Sequence, residues 1–188
     1  MKPFIVVAAL LAFPFSYAQT TAPEAPAPTS KQWASLGAVT RFAGTGLTVA
    51  YGQQDFFALG TDARFGVAYF GSTLYGSGFA AELFADALAY TRDPEPDEGL
   101  VLVAYGGLGP RFLVQSDVYD ANDGGSTTAY QLNIGGVGGF ETRLSLFGVF
   151  LELDISVPTF GLIGSSLRVF PIEAFPVPKL TLGANYYF

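Results

Sequence analysis

Two pairs of acids are the first candidates for chemistry in this chain. Glu82 and Asp86 stand four residues apart, and Glu152 and Asp154 two apart. Paired carboxylates perform glycoside or aspartyl-type hydrolysis when one is held protonated and the other ionised. A serine nucleophile with lysine as base is a second arrangement, and Lys179 is the only lysine beyond residue 31. Asp117, Asp120, Asn122 and Asp123, followed by Gly124 and Gly125, form an oxygen-rich segment. Weak divalent-cation binding at Asp117, Asp120 and Asp123 follows as an expectation, although Gln131 stands where a calcium loop needs a bidentate glutamate. Gly106–Gly109 and Gly135–Gly139 invite comparison with a nucleotide loop. Neither continues to GxGxxG, because Phe112 and Glu141 occupy the third position.

What the chain lacks narrows these options further. It has 188 residues with no histidine and no cysteine, which removes Ser-His-Asp and Cys-His catalysis, the usual zinc and haem ligands, and disulfides. No enzyme activity and no cofactor are expected, since a positioned general base is missing. Charged residues make up 13% of the chain, against roughly 25% in soluble domains. The net charge of −7 argues against nucleic acid as a partner, which demands a basic footprint.

The elements that would position these residues begin after a targeting segment. Met1-Lys2, the apolar run 4–13 and the small residues around Ser16-Tyr17-Ala18 form a signal peptide over 1–18, cleaved after Ala18. Its removal deletes one lysine and no acid, leaving 8 − 16 = −8. Residues 19–32 are an Ala/Pro/Thr-rich flexible leader, and 33–188 form the folded domain.

Within that domain the dominant pattern has period two. Over 179–188, Leu180, Leu182, Ala184, Tyr186 and Phe188 share one face, and Lys179, Thr181, Gly183, Asn185 and Tyr187 the other. The same alternation runs through 130–141 and 149–157, and strands are expected near 34–43, 46–53, 60–70, 78–90 and 100–115. Eight strands share the 188 − 31 = 157 residues after Lys31, which suits spanning strands of about 9 to 11 residues with turns and moderate loops. The turn-rich stretches 91–99, 117–126 and 157–178 are read as connections.

The polar face decides what kind of sheet this is. A soluble barrel loads its water-facing side with charge. Here that side carries Gly, Ser, Thr, Asn and isolated charges, which suit a narrow lumen, while Leu, Val, Phe and Tyr would meet lipid. The fold class is therefore all-β, a closed antiparallel transmembrane β-barrel of eight strands. Parity points Arg41, Arg64, Arg111, Arg143 and Lys179 inward together with Glu82, Asp86, Glu141, Glu152 and Asp154. Buried charges persist only when paired, so a salt-bridged plug is expected, with Glu141 and Arg143 near enough to a short turn to be solvated instead. Trp33, Tyr69, Tyr90, Tyr105, Tyr130, Tyr186 and Phe188 lie near strand ends, as interfacial girdles do. Tyr130, Tyr186 and Phe188 are the clearest outward cases.

The C-terminal run, with Leu180, Leu182, Gly183, Tyr186 and the terminal Phe188, resembles the terminal β-signal of bacterial outer-membrane barrels, and the rest is similar to small eight-stranded barrels in size and pattern. The resemblance implies recognition by the barrel-assembly machinery and residence among outer-membrane lipid of a diderm cell. With both termini periplasmic, 117–126 and 158–178 would face outward and 91–99 the periplasm. The expected role is an envelope-integrity or surface-interaction protein with a charge-plugged lumen. The alternatives are a narrow porin-like channel for ions or small solutes, and a soluble ligand-binding β-barrel.

Overall fold

A computed structural model describes residues 32–41, 44–58, 60–71, 78–91, 99–120, 124–169 and 177–188. The signal peptide and nearly all of the leader lie outside the described residues. The strands are β1 (Gln32–Arg41), β2 (Gly44–Ala58), β3 (Thr61–Phe70), β4 (Ala80–Tyr90), β5 (Val101–Asp120), β6 (Gly125–Leu144), β7 (Phe147–Ile163), β8 (Ser166–Val169) and β9 (Val177–Tyr187). All pairings are antiparallel, and each strand pairs with its chain neighbour from β1 to β7.

Closure comes from β9. It pairs with β7 from Phe147↔Tyr186 to Ser156↔Val177 and with β1 from Trp33↔Tyr187 to Arg41↔Lys179. Eight strands therefore form the barrel wall, while β8 pairs with β7 alone among the described strands. The last backbone bonds of the seam join Phe188 and Gln32 reciprocally, at 2.9 and 3.1 Å.

The alternation that set the strand assignments also sets the two faces. Phe65, Val67, Leu83, Ile134, Leu151, Leu153, Leu180 and Leu182 are exposed on the outside, while Val39, Arg64, Glu82, Arg111, Asn133 and Lys179 are buried inside. This is the reverse of a soluble barrel, and it is the pattern of a barrel whose outer face meets lipid.

Strand length departs from the expected 9 to 11. β1, β3, β4 and β9 have 10 or 11 residues, but β5 and β6 each have 20 and β7 has 17. Much of 117–126, read as a loop from its Asp and Gly content, is instead strand: Val118, Tyr119 and Asp120 pair with Thr127, Ser126 and Gly125. A bulge between Gln115 and Val118 admits Asp117 at φ 56°, a left-handed conformation that aspartate tolerates better than most residues. The Pro-rich 157–178 likewise contains the end of β7 and all of β8. Pro158 sits beside the β6–β7 register shift at Leu132/Asn133, one of the places where a strand can do without an N–H.

Candidate functional site: the barrel interior

The interior is a stack of three layers. Toward the end of the barrel where β3 ends and β4 begins, Val39, Ala68, Phe70, Ala80 and Leu113 form an apolar cluster with Phe84 against it. Toward the other end, Trp33, Leu88, Tyr105, Val137 and Tyr187 form a second cluster with Tyr90. The charged residues lie between these clusters and among the aromatics of the second.

Eight of the ten charges assigned inward form one connected chain. Arg41 reaches Glu82 at 3.5 Å, and Lys179 is paired with Glu82 and, at 3.3 Å, with Asp154. Arg111 lies 2.8 Å from Asp154 and 2.6 Å from Asp86. Arg64 holds Asp86 at 2.7 Å and is paired with Glu152, to which Tyr105 donates its hydroxyl at 3.0 Å. Four cations thus face four acids, and every link crosses between strands. Each acid of the two carboxylate pairs has a cation against it.

Phe84 occupies the middle of this chain. It lies between Glu82 and Asp86 on the inner face of β4, with Arg64, Lys179 and Arg111 at 5.2, 5.2 and 5.5 Å from its ring centre. The ring presents its negative face to cations whose charges are otherwise met by carboxylates. Sequence reasoning from charge alone misses it, although its parity is the same as that of the acids flanking it.

Glu141 and Arg143 pair with each other, and both are buried rather than solvated. Arg143 Nε lies 2.9 Å from Glu141, which also accepts bonds from Asn185 Nδ2 at 2.9 Å and the Tyr187 hydroxyl at 2.6 Å. The guanidinium packs against Tyr187 and Tyr90, at 4.5 and 5.0 Å from their centroids. Gly148 makes room for Glu141, since a Cβ there would collide with the carboxylate. Asp62 is a further buried acid, bonded to Trp33 Nε1 at 3.4 Å and to the Asp55 amide at 3.2 Å. Its parity with Arg64 was the available signal.

The aromatic assignments divide. Tyr69, Tyr130, Tyr186 and Phe188 are exposed on the outer face, and Tyr186 stacks against Phe188 at 6.0 Å. Trp33, Tyr90 and Tyr105 belong to the interior cluster instead of the girdle. Trp33 turns inward because Gly52 opposite leaves space for the indole that any Cβ would fill.

No three acids come together as a metal group among the described residues. Asp117 accepts a bond from Ser126 Oγ at 2.9 Å, Asp120 lies in the last position of β5, and Asp123 is outside the described residues. The glycine runs 106–109 and 135–139 lie within β5 and β6, not in a phosphate-binding loop. Space in the lumen is scarce: the cavity bordered by Ser35, Thr48, Arg64, Phe84, Glu152 and Lys179 measures about 10 Å³, no more than one water needs.

No family model and no curated protein matches the sequence. Solved structures do share the fold. Neisserial surface protein A (NspA) is 9% identical with a TM-score of 0.59, and the N-terminal β-barrel domain of Pseudomonas aeruginosa OprF is 12% identical with 0.60; each match covers 85% of this chain and 97% of the other. A major outer membrane protein from Thermus thermophilus is 19% identical at 0.51, covering 86% of this chain and all of that one. With an apolar exterior, ion pairs and aromatics inside, and eight closed antiparallel strands, this chain has the fold of the small bacterial outer-membrane β-barrels.

Proposed function

We propose that the protein is an integral outer-membrane barrel that closes its own lumen and serves the envelope structurally or through its surface. The observation that carries this reading is the continuous chain of ion pairs from Arg41 to Glu152, bounded by the Val39/Phe70/Leu113 and Trp33/Leu88/Tyr105 clusters. A hydrated ion crossing the lumen would have to pass the apolar Val39/Phe70/Leu113 cluster and the aromatic layer that holds Glu141, Arg143 and Asp62, and between them break paired charges in a low-dielectric interior, where an orphaned charge costs about 3 to 5 kcal/mol.

The apolar exterior supports the membrane location, because contiguous exposed apolar patches beyond a few hundred Å² are rare on soluble monomers. The paired acids serve as counter-ions to the arginines and Lys179, not as catalytic groups. Phe188 and the alternating residues before it act as the assembly signal for the barrel-assembly machinery. Purified protein in planar bilayers is expected to give no unitary currents. Reproducible currents that vanish on mutating the lumen charges would replace this reading with the narrow channel, and release of the mature protein by osmotic shock without detergent would favour a soluble barrel.

A further inference from the structure

The exterior has a tall side and a short side. A strand tilted about 40° climbs roughly 2.5 Å per residue, so the 10 or 11 residues of β1, β3, β4 and β9 match an apolar band of about 25 Å. β7 continues past Ser156, its last partner on β9, and takes β8 as its neighbour instead. On this projecting wall β7 and β8 keep apolar residues outward, while β6 above Tyr130 carries Thr128 and Ser126. Tyr130, Leu162 and Leu167 are cross-strand partners in one row. Phe160 and Val169 pair in the next row below. The exposures run from 37% at Leu162 to 73% at Leu167 and 68% at Val169. The opposite face of the same wall carries Thr127, Gln131, Gly161 and Arg168, so the hairpin is apolar on the side turned away from the barrel axis.

We propose that this wall is where a second copy of the chain docks, giving a side-by-side dimer in the membrane; the proposal rests on the outer-membrane reading above. Within the bilayer an apolar wall gains little by leaving lipid for protein. Above the band it would otherwise meet water, and there the hydrophobic effect drives association. Side chains of about 150 to 200 Å², exposed to the extent given, present on the order of 500 Å² per copy at these five residues. Two such patches, wholly covered, bury roughly 1,000 Å², the lower bound for a specific interface. A shared membrane orientation requires the two-fold axis to lie along the membrane normal, and an isologous contact then sets the same rows against each other. Directly below on the same side, Ala104, Gly106, Gly136 and Gly138 face outward, and a Cβ on any of these three glycines would meet no side chain within 4 Å. Two barrels can therefore approach closely down the wall as well as at its top.

The chain has no cysteine, so single cysteines report without background. Leu162→Cys and Leu167→Cys, in the full chain reconstituted in phosphatidylcholine vesicles, are expected to give a species of twice the mass with a short bis-maleimide. Val67→Cys, on the opposite wall, gives none. The pair Leu167→Asn and Val169→Asn introduced into the Leu162→Cys protein abolishes the cross-link while heat-modifiable mobility persists. Absence of the cross-linked species, with position 167 either open to a membrane-impermeant maleimide or quenched by brominated acyl chains, overturns the dimer in favour of a bare or lipid-covered wall. Val67→Cys separately tests the underlying reading: its label must be quenched by brominated lipid, and free reaction with the impermeant reagent removes the membrane barrel itself.

Discussion

Arg111 Nη1 and Asp86 Oδ1 meet at 2.6 Å with neither side chain exposed to solvent. The contact joins β4 to β5, and the same guanidinium reaches Asp154 on β7 at 2.8 Å, so one residue ties together three strands. Buried pairs of this kind add little over a well-packed apolar interior, yet removing one partner is costly because the remaining charge has nowhere to go.

Arg111→Ala should leave four buried acids facing three cations, with Asp86 held by Arg64 and Asp154 by Lys179, and the uncompensated charge should destabilise the barrel by about 3 to 5 kcal/mol. The readout is the temperature at which folded, fast-migrating protein converts to the unfolded band in detergent. An unchanged transition would mean that water reaches these acids.

Gly148→Ala should displace Glu141, whose carboxylate occupies the space a Cβ would take, and disturb its bonds to Arg143, Asn185 and Tyr187. Overpacking of this kind costs about 1 to 3 kcal/mol. Gly138→Ala serves as the contrast: its Cβ would meet only the Tyr105 carbonyl, at 3.9 Å, so urea titration of folded protein should find it near neutral. Equal effects at both positions would contradict the inward placement of Gly148.

Phe188 offers a way to separate folding from targeting. Its backbone closes the seam with Gln32, while its ring is exposed beside Tyr186. Phe188→Ala keeps the backbone bonds. Refolding of the purified variant into detergent should match the parent, whereas its amount in the outer membrane should fall several-fold. Equal membrane levels would remove the assembly-signal reading.

Arg64→Ser should loosen the lumen most directly, since Arg64 bridges Asp86 and Glu152 at the centre of the chain. Planar-bilayer recording is expected to move from silence to small cation-selective events, because Glu152 is left with the Tyr105 hydroxyl and no cation among the described residues, while Asp86 keeps Arg111. A silent variant would indicate that the Phe70 and Trp33 clusters close the lumen unaided.

Much of this architecture was legible in the chain because side-chain direction in a strand depends only on parity. Lys179, Glu152 and Asp154 could be placed inside, and Leu180 and Leu151 outside, without knowing which strand neighbours which. The same rule would have found Asp62 beside Arg64, Phe84 between Glu82 and Asp86, and Trp33 in line with Arg41, had charge and strand-end position not been weighed above it. The extra length of β5 and β6 was hidden for a different reason. Asp, Asn and Gly favour turns locally, and only pairing across the hairpin turns Val118–Asp120 into strand.

By itself, then, the sequence determined the strand-forming alternation, the apolar exterior and the set of charges that had to be buried together. Only the tertiary structure decided that Arg64 meets Glu152, 88 residues away, that Lys179 meets Glu82, and that one wall stands above the others. Those relationships depend on how far each strand is staggered against the next around a closed sheet, and stagger is a property of the whole ring that no single strand carries.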